Sequence, residues 1–186
     1  LEFDWGQANS DRRHRWVTSV LWQIPGHFGS PVLDGALTGW SLTGIYVVQS
    51  GAGFSVTSGV DNARSGTGGQ RADRVGDPAL SSDRPTAERI AQWFNTAAYQ
   101  PNALGTFGNS GRNSLRGPGF RTLDLGLHKT FPLVRRSKLQ LRIEAFNALN
   151  DVNLGTPTTA RNSPNFGRIL SASDPRIMQF ALRVSF

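Results

Sequence analysis

Three histidines, His14, His27 and His128, are the first residues to which metal or acid–base chemistry would be assigned. Their spacing fits no ligand pattern, and no His-Glu-x-x-His run occurs. Asp124 and His128 share one face of an alternating segment, but four residues of extended chain hold them about 13 Å apart. That excludes a direct catalytic hydrogen bond. The run Gly108-Asn109-Ser110-Gly111 is one residue short of a nucleophile elbow. The stretch SGTGGQRAD, residues 65–73, is glycine-rich, yet it follows no short buried strand and lacks the lysine of a phosphate-binding loop. It reads as a flexible loop. With no cysteine in the chain, thiolate metal sites and disulfides are excluded. The residues therefore point to no catalytic group, no metal site and no cofactor.

A polar set does converge. Asp124, His128, Gln140, Arg142 and Glu144, with Gln179 and Arg183 nearer the C-terminus, all occupy the polar phase of segments whose other phase is apolar. Because like faces must pair, Asp124 should oppose either Glu144 or Phe146, and in both cases Arg142 is close enough to neutralise a carboxylate. One expectation is a hydrated, charge-balanced wall; the other is a surface that grips a separate part of a larger protein.

Five segments read as the strands that would position this set. They lie near 14–24 (HRWVTSVLWQI), 40–58, 121–131 (RTLDLGLHKTF), 138–149 (KLQLRIEAFNAL) and 176–186 (RIMQFALRVSF). Gly51 and Gly53 mark a bulge or bend in the second. The apolar phases coincide when the third and fifth are superposed: Leu123 with Met178, Leu125 with Phe180, Leu127 with Leu182. In the first strand Trp16, Val20, Trp22 and Ile24 take that phase, with Thr18 as the exception. Leu139, Leu141, Ile143 and Ala145 take it in the fourth. Eleven extended residues at ~3.3 Å each, tilted by ~45°, span ~25 Å, the height of an outer-membrane apolar band. Alternation by itself fits a soluble sheet core equally well.

The connections alternate between short (25–39 and 132–137) and long (59–120 and 150–175), the rhythm of an up-and-down membrane barrel with turns on one side and loops on the other. A short helix is expected at 86–95 within the first long loop. Phe131, Phe186, Trp16 and Trp22 sit near strand ends, where aromatic girdles lie. Composition agrees with an all-β chain: 21 glycines, 38% hydrophobic residues, 18% charged residues and two lysines. The net charge of +7 is almost all arginine, scattered from Arg12 to Arg183. The only adjacent pairs are Arg12-Arg13 and Arg135-Arg136, so no basic block marks nucleic acid as a partner. In the first long loop Arg64, Arg71, Arg74, Arg84, Arg89, Arg112 and Arg116 outnumber the acids; the expectation is a solvated loop with balanced pairs, and the alternative is contact with lipopolysaccharide phosphates or an anionic ligand.

Three stretches carry a resemblance: GTFGNSGRNSLRGPGFRTLDLGLHKTFPL, then LRIEAFNALNDVNLGTPT, then NSPNFGRILSASDPRIMQFALRVSF. Together they resemble the C-terminal end of TonB-dependent outer-membrane receptors of the Oar-like subgroup, which carry a carboxypeptidase-regulatory-like N-terminal domain and abound in Acidobacteria. The likeness runs from about Arg13 to Phe186. It implies an all-β antiparallel meander of about five long strands, a C-terminal segment of a larger, ~22-stranded barrel in the Gram-negative outer membrane. On this resemblance 59–120 and 150–175 are outer loops, and 25–39 and 132–137 are periplasmic turns.

The same resemblance implies energised uptake through the TonB system, a plug and upstream strands that these residues do not contain, and no activity for the segment alone. Met178, Phe180, Leu182, Val184 and Phe186 resemble the signal read by the barrel-assembly machinery. Asp124, His128, Gln140, Arg142, Glu144, Gln179 and Arg183 would face the lumen, and outer-membrane lipid and lipopolysaccharide would be the surroundings. The competing expectation is a soluble, secreted all-β binding module, lectin-like or adhesin-like.

Overall fold

The computed structural model describes residues 4–26, 29–133 and 137–186. His27 and the pair Arg135-Arg136 lie outside the described residues. The chain forms β1 (Arg15–Gln23), α1 (Pro31–Leu37), β2 (Trp40–Gln49), β3 (Gly53–Phe54), β4 (Asp73–Arg74), α2 (Thr86–Ala91), β5 (Tyr99–Gln100), β6 (Leu115–Arg116), β7 (Phe120–Pro132), β8 (Lys138–Phe146) and β9 (Ile177–Ser185). They group into two compact units.

One unit comprises Arg15–Gln49, Phe120–Val152 and Asp174–Phe186. It is a five-stranded sheet in the order β1-β2-β7-β8-β9, with every neighbouring pair antiparallel. Register puts residues of like phase side by side. Trp22, Leu42 and Leu127 align across β1, β2 and β7, and Leu127, Ile143 and Phe180 across β7, β8 and β9. One face is thereby apolar from edge to edge, and the other carries Asp124, His128, Arg142 and Glu144. Arg15, Gln49, Phe120, Phe146 and Ile177 mark one end of the sheet, from which the long connections leave. Short connections close the opposite end, where the Leu133 amide donates to the Ser137 carbonyl at 2.8 Å.

Three expectations about this sheet change. The strand anticipated over 40–58 ends at Gln49. Gly51 lies against the Gly117 carbonyl, where any Cβ would come within 1.8 Å of the oxygen, so the chain turns away there and only Gly53–Phe54 pairs again, with Leu115–Arg116. The strand expected to reach residue 149 stops at Phe146, because Asn147 takes a left-handed conformation (φ 49°) and starts a turn. The short connection 25–39 holds a helix, α1, entered through Pro31 at its first turn.

The second unit comprises Leu1–His14, Ser50–Gly119 and Asn153–Ser173. It has its own hydrophobic core of Phe54, Val56, Ala72, Phe94, Ala98 and Tyr99. The Phe94 ring sits 5.7 Å from Phe54, 5.8 Å from Tyr99 and 5.3 Å from Phe166, two of these pairs edge-on. Burial pushes the Tyr99 phenol up. The flexible loop expected over 65–73 is instead tied down. Gln70 is buried, and its amide donates to Asp61 Oδ1 at 2.8 Å and to the Thr67 carbonyl at 3.0 Å while accepting from the Ala63 amide at 3.2 Å. The helix expected over 86–95 is confined to Thr86–Ala91, and Asn95 then caps a 3-10 turn at Thr96–Ala98.

Candidate functional site

The polar face of the sheet is built around a missing side chain. Gly126 in β7 lies opposite Thr43 of β2 and Glu144 of β8. A Cβ there would stand 2.5 Å from Thr43 Oγ1 and 3.3 Å from His128 Nε2. The bare backbone opens a shallow cleft of about 180 Å3 whose walls include Thr43, Ile45, Asp124, Glu144 and Phe146. Thr43 Oγ1 donates to the Gly126 carbonyl at 3.2 Å across the strand pair.

Glu144 is the centre of charge. Arg142 Nη2 donates to Glu144 Oε1 at 2.8 Å, and His128 Nε2 stands 3.7 Å from the same oxygen. Both side chains lie near it because Glu144 pairs with Gly126 while Arg142 pairs with His128, two pairs along the ladder. Asp124 takes no part in that pair. The register of β7 and β8 puts it beyond the last paired residues, toward Phe146, and its Oδ1 accepts the Asn147 amide at 2.9 Å and the Thr122 hydroxyl at 3.2 Å. Of the two partners the sequence left open, the structure selects Phe146. Of the two carboxylates, Arg142 neutralises Glu144. On β9, Gln179 lies opposite Glu144 and Arg183 opposite Gln140. All seven polar residues singled out from the sequence thus fall on one face, but only His128 and Arg142 cluster around a carboxylate, that of Glu144.

Glu144 has a full hydrogen bond from Arg142, and the His128–Glu144 separation exceeds hydrogen-bond reach. Among the described residues no group of three or more His, Cys, Asp or Glu side chains converges.

The apolar face contrasts sharply. Met178, Phe180, Leu182 and Val184 on β9 are 54–71% exposed, and Phe186 is 99% exposed; Trp16, Val20 and Trp22 on β1 are likewise open. Trp22, Trp40 and Phe131 lie on this face at the turn end, with Trp16 at the other. One residue breaks the apolar phase. Lys129 follows Leu123, Leu125 and Leu127 in β7, yet it is only 3% exposed. Its ammonium donates to the carbonyls of Ala36 at 2.8 Å, Thr38 at 2.6 Å and Gly35 at 3.2 Å, and lies 5.3 Å from both the Trp40 and Phe131 rings. It satisfies the orphan carbonyls that end α1. The sequence signal was a charge in an apolar phase.

The loop arginines divide. Arg71 pairs with Asp4 at 2.9 Å and thereby holds the Asp4 carboxyl below its ordinary value; Arg116 pairs with Asp11 at 2.5 Å, and Arg74 lies 3.9 Å from Asp77. Arg84 and Arg89 form no ion pair with a carboxylate among the described residues.

An antiparallel meander with one lipid-like face, one hydrophilic face and aromatics at its margins has the design of a membrane-barrel wall. Residues 1–179 match the outer membrane beta barrel domain family, and the chain belongs to that family. Membership associates it with the outer membrane and accounts for an apolar face that a soluble module would have to cover. No curated protein and no solved structure matches the chain.

Proposed function

We propose that this chain contributes barrel wall and outer loops to a TonB-dependent transporter of the Oar-like subgroup in a Gram-negative outer membrane. The supporting observation is the apolar stripe kept in register from β1 to β9, facing away from the His128–Arg142–Glu144 cluster. In a ~22-stranded barrel that cluster, with Asp124, Gln140, Gln179 and Arg183, lines the lumen and grips the plug or borders its exit path. Lipid and lipopolysaccharide surround the apolar face. Met178, Phe180, Leu182, Val184 and Phe186 serve as the signal for the barrel-assembly machinery. The wall has no catalytic part in uptake. The resemblance of residues 105–133, 141–158 and 162–186 to such receptors supports the subgroup.

The test is made on the complete gene product in outer-membrane preparations. A plug encoded upstream of Leu1 and retention of the purified protein on an immobilised TonB periplasmic domain are expected. A barrel that assembles normally but has no plug and no affinity for that domain would sink the transporter assignment and leave the family assignment intact.

A further inference from the structure

The unit built from 50–119 contains an open cavity of about 240 Å3 that neither the barrel wall nor the polar cluster uses. Its lining includes Pro78 and Phe94, both buried, with Leu115, Arg84, Arg89 and Trp93. Among the described residues no carboxylate lines it.

The cations are held in place beforehand. Arg84 donates through Nε to the Ser81 carbonyl at 3.1 Å and through Nη1 to the Gln92 carbonyl at 3.0 Å, which fixes the guanidinium and leaves Nη2 uncommitted. The Arg89 guanidinium lies 5.1 Å over the Trp93 ring. That indole is fixed in turn, Nε1 donating to the Arg116 carbonyl at 2.8 Å. Arg116 also lines the cavity, but Asp11 neutralises it. Two guanidiniums without a carboxylate partner among the described residues therefore share this lining with apolar and aromatic side chains. Planar donors in this arrangement bind oxyanions in forked fashion, and the stacked arginine–indole pair offers a flat surface to a ring.

We propose that this cavity binds an organic anion, an oxyanion such as phosphate or carboxylate carried on a planar or apolar body, with Arg84 and Arg89 on the oxyanion and Trp93, Phe94 and Leu115 on the body. The proposal is independent of the transporter assignment, because a barrel without TonB coupling keeps the same cavity. The oxyanion could belong to a lipopolysaccharide phosphate or to a soluble molecule, and the two sources share the chemistry.

The test uses the full-length protein in detergent micelles, with phenyl phosphate as probe and inorganic phosphate and benzyl alcohol as its two halves, read by calorimetry. Phenyl phosphate should bind on the order of tenfold or more tighter than either half. The double variant Arg84→Gln/Arg89→Gln should lose binding by on the order of tenfold. Ser82→Trp, an exposed change at the rim that leaves the core untouched, should block it as well. Arg168→Gln, which removes one positive charge from an exposed residue outside the cavity, should leave it unaltered. Lipid A micelles that compete with phenyl phosphate assign the site to bound lipopolysaccharide; absence of competition assigns it to a soluble anion; the cavity is a site in both cases. Undetectable phenyl phosphate binding, equal binding of inorganic phosphate, or binding indifferent to both the double variant and Ser82→Trp overturns the proposal.

Discussion

Single carboxylates in this chain differ in what holds them. The Ser65 amide, the Gln70 side-chain amide and the Gly66 amide all donate to Asp61 and hold its carboxyl below the ordinary value, against a smaller opposing effect of burial. A carboxyl lowered in the folded state contributes stability above its unfolded value of ~3.9, and that contribution fades as pH falls through the folded value. Exchange protection factors of the Ser65 and Gly66 amides should thus be level above about pH 5 and drop below about pH 4. Asp61→Asn should lower them at neutral pH and flatten the profile. A wild-type protection factor that ignores pH would show that Asp61 does not organise the turn. Asp61, unlike the strand residues, lies in a stretch whose periodicity carries no message. Its partner Gln70 was legible only as part of a glycine-rich run. The polar trio of the sheet was more open to reading, since Arg142, Glu144 and His128 each sit in the polar phase of a clear alternation. What the alternation left undecided was the register, which differs by whole pairs without changing the face.

At the scale of the element, α1 depends on a residue 91 to 94 positions from the carbonyls it caps. Its last carbonyls have Lys129 as a donor, and the Trp40 indole also donates to Ala36 at 2.9 Å. Lys129→Met keeps the stem length and apolar contact with Trp40 and Phe131 but removes the donor. The expected cost is about 1–3 kcal/mol, the penalty for leaving buried acceptors unsatisfied. It should appear as faster amide exchange across 31–38 and a lower urea midpoint. If Lys129→Met matches wild type in both, the ammonium is not the cap. The sequence was legible here only as a short turn over 25–39. Seven residues are below the length at which a helix is stable alone, so its existence follows from the tertiary cap and not from propensity. Strand ends were blurred for a related reason. Phe54 and Val56 continue the apolar character of β2, but the close approach of Gly51 to Gly117 ends the pairing at Gln49.

In the molecule as a whole, two differently built units share one chain. The sheet keeps its apolar residues on an open face. The unit of 50–119 buries Phe54, Phe94 and Tyr99 together, although these come from segments with no common period. Phe94→Ala removes a ring that is 3% exposed and touches three other rings, so a loss of about 3–5 kcal/mol is expected in that unit. Limited proteolysis should then cut within 50–119 faster than in wild type, whereas Leu104→Ala, at a residue 68% exposed, should not change the rate. Equal cutting of Phe94→Ala and wild type would mean the ring cluster does not hold the unit together.

The sequence by itself determined the five strands, their two faces and the barrel family. Period-two alternation is a local property: each side chain's face follows from its neighbour's, with no knowledge of partners. Only the tertiary structure decided that Arg142 meets Glu144 while Asp124 turns to Asn147, that Lys129 caps α1, and that a long arginine-rich connection folds around Phe94. Each of these rests on pairs distant in sequence, such as Phe54 with Phe94 or Gly35 with Lys129, and no local pattern encodes which distant groups meet. The meeting is set by register and chain closure, which exist only once the strands have paired.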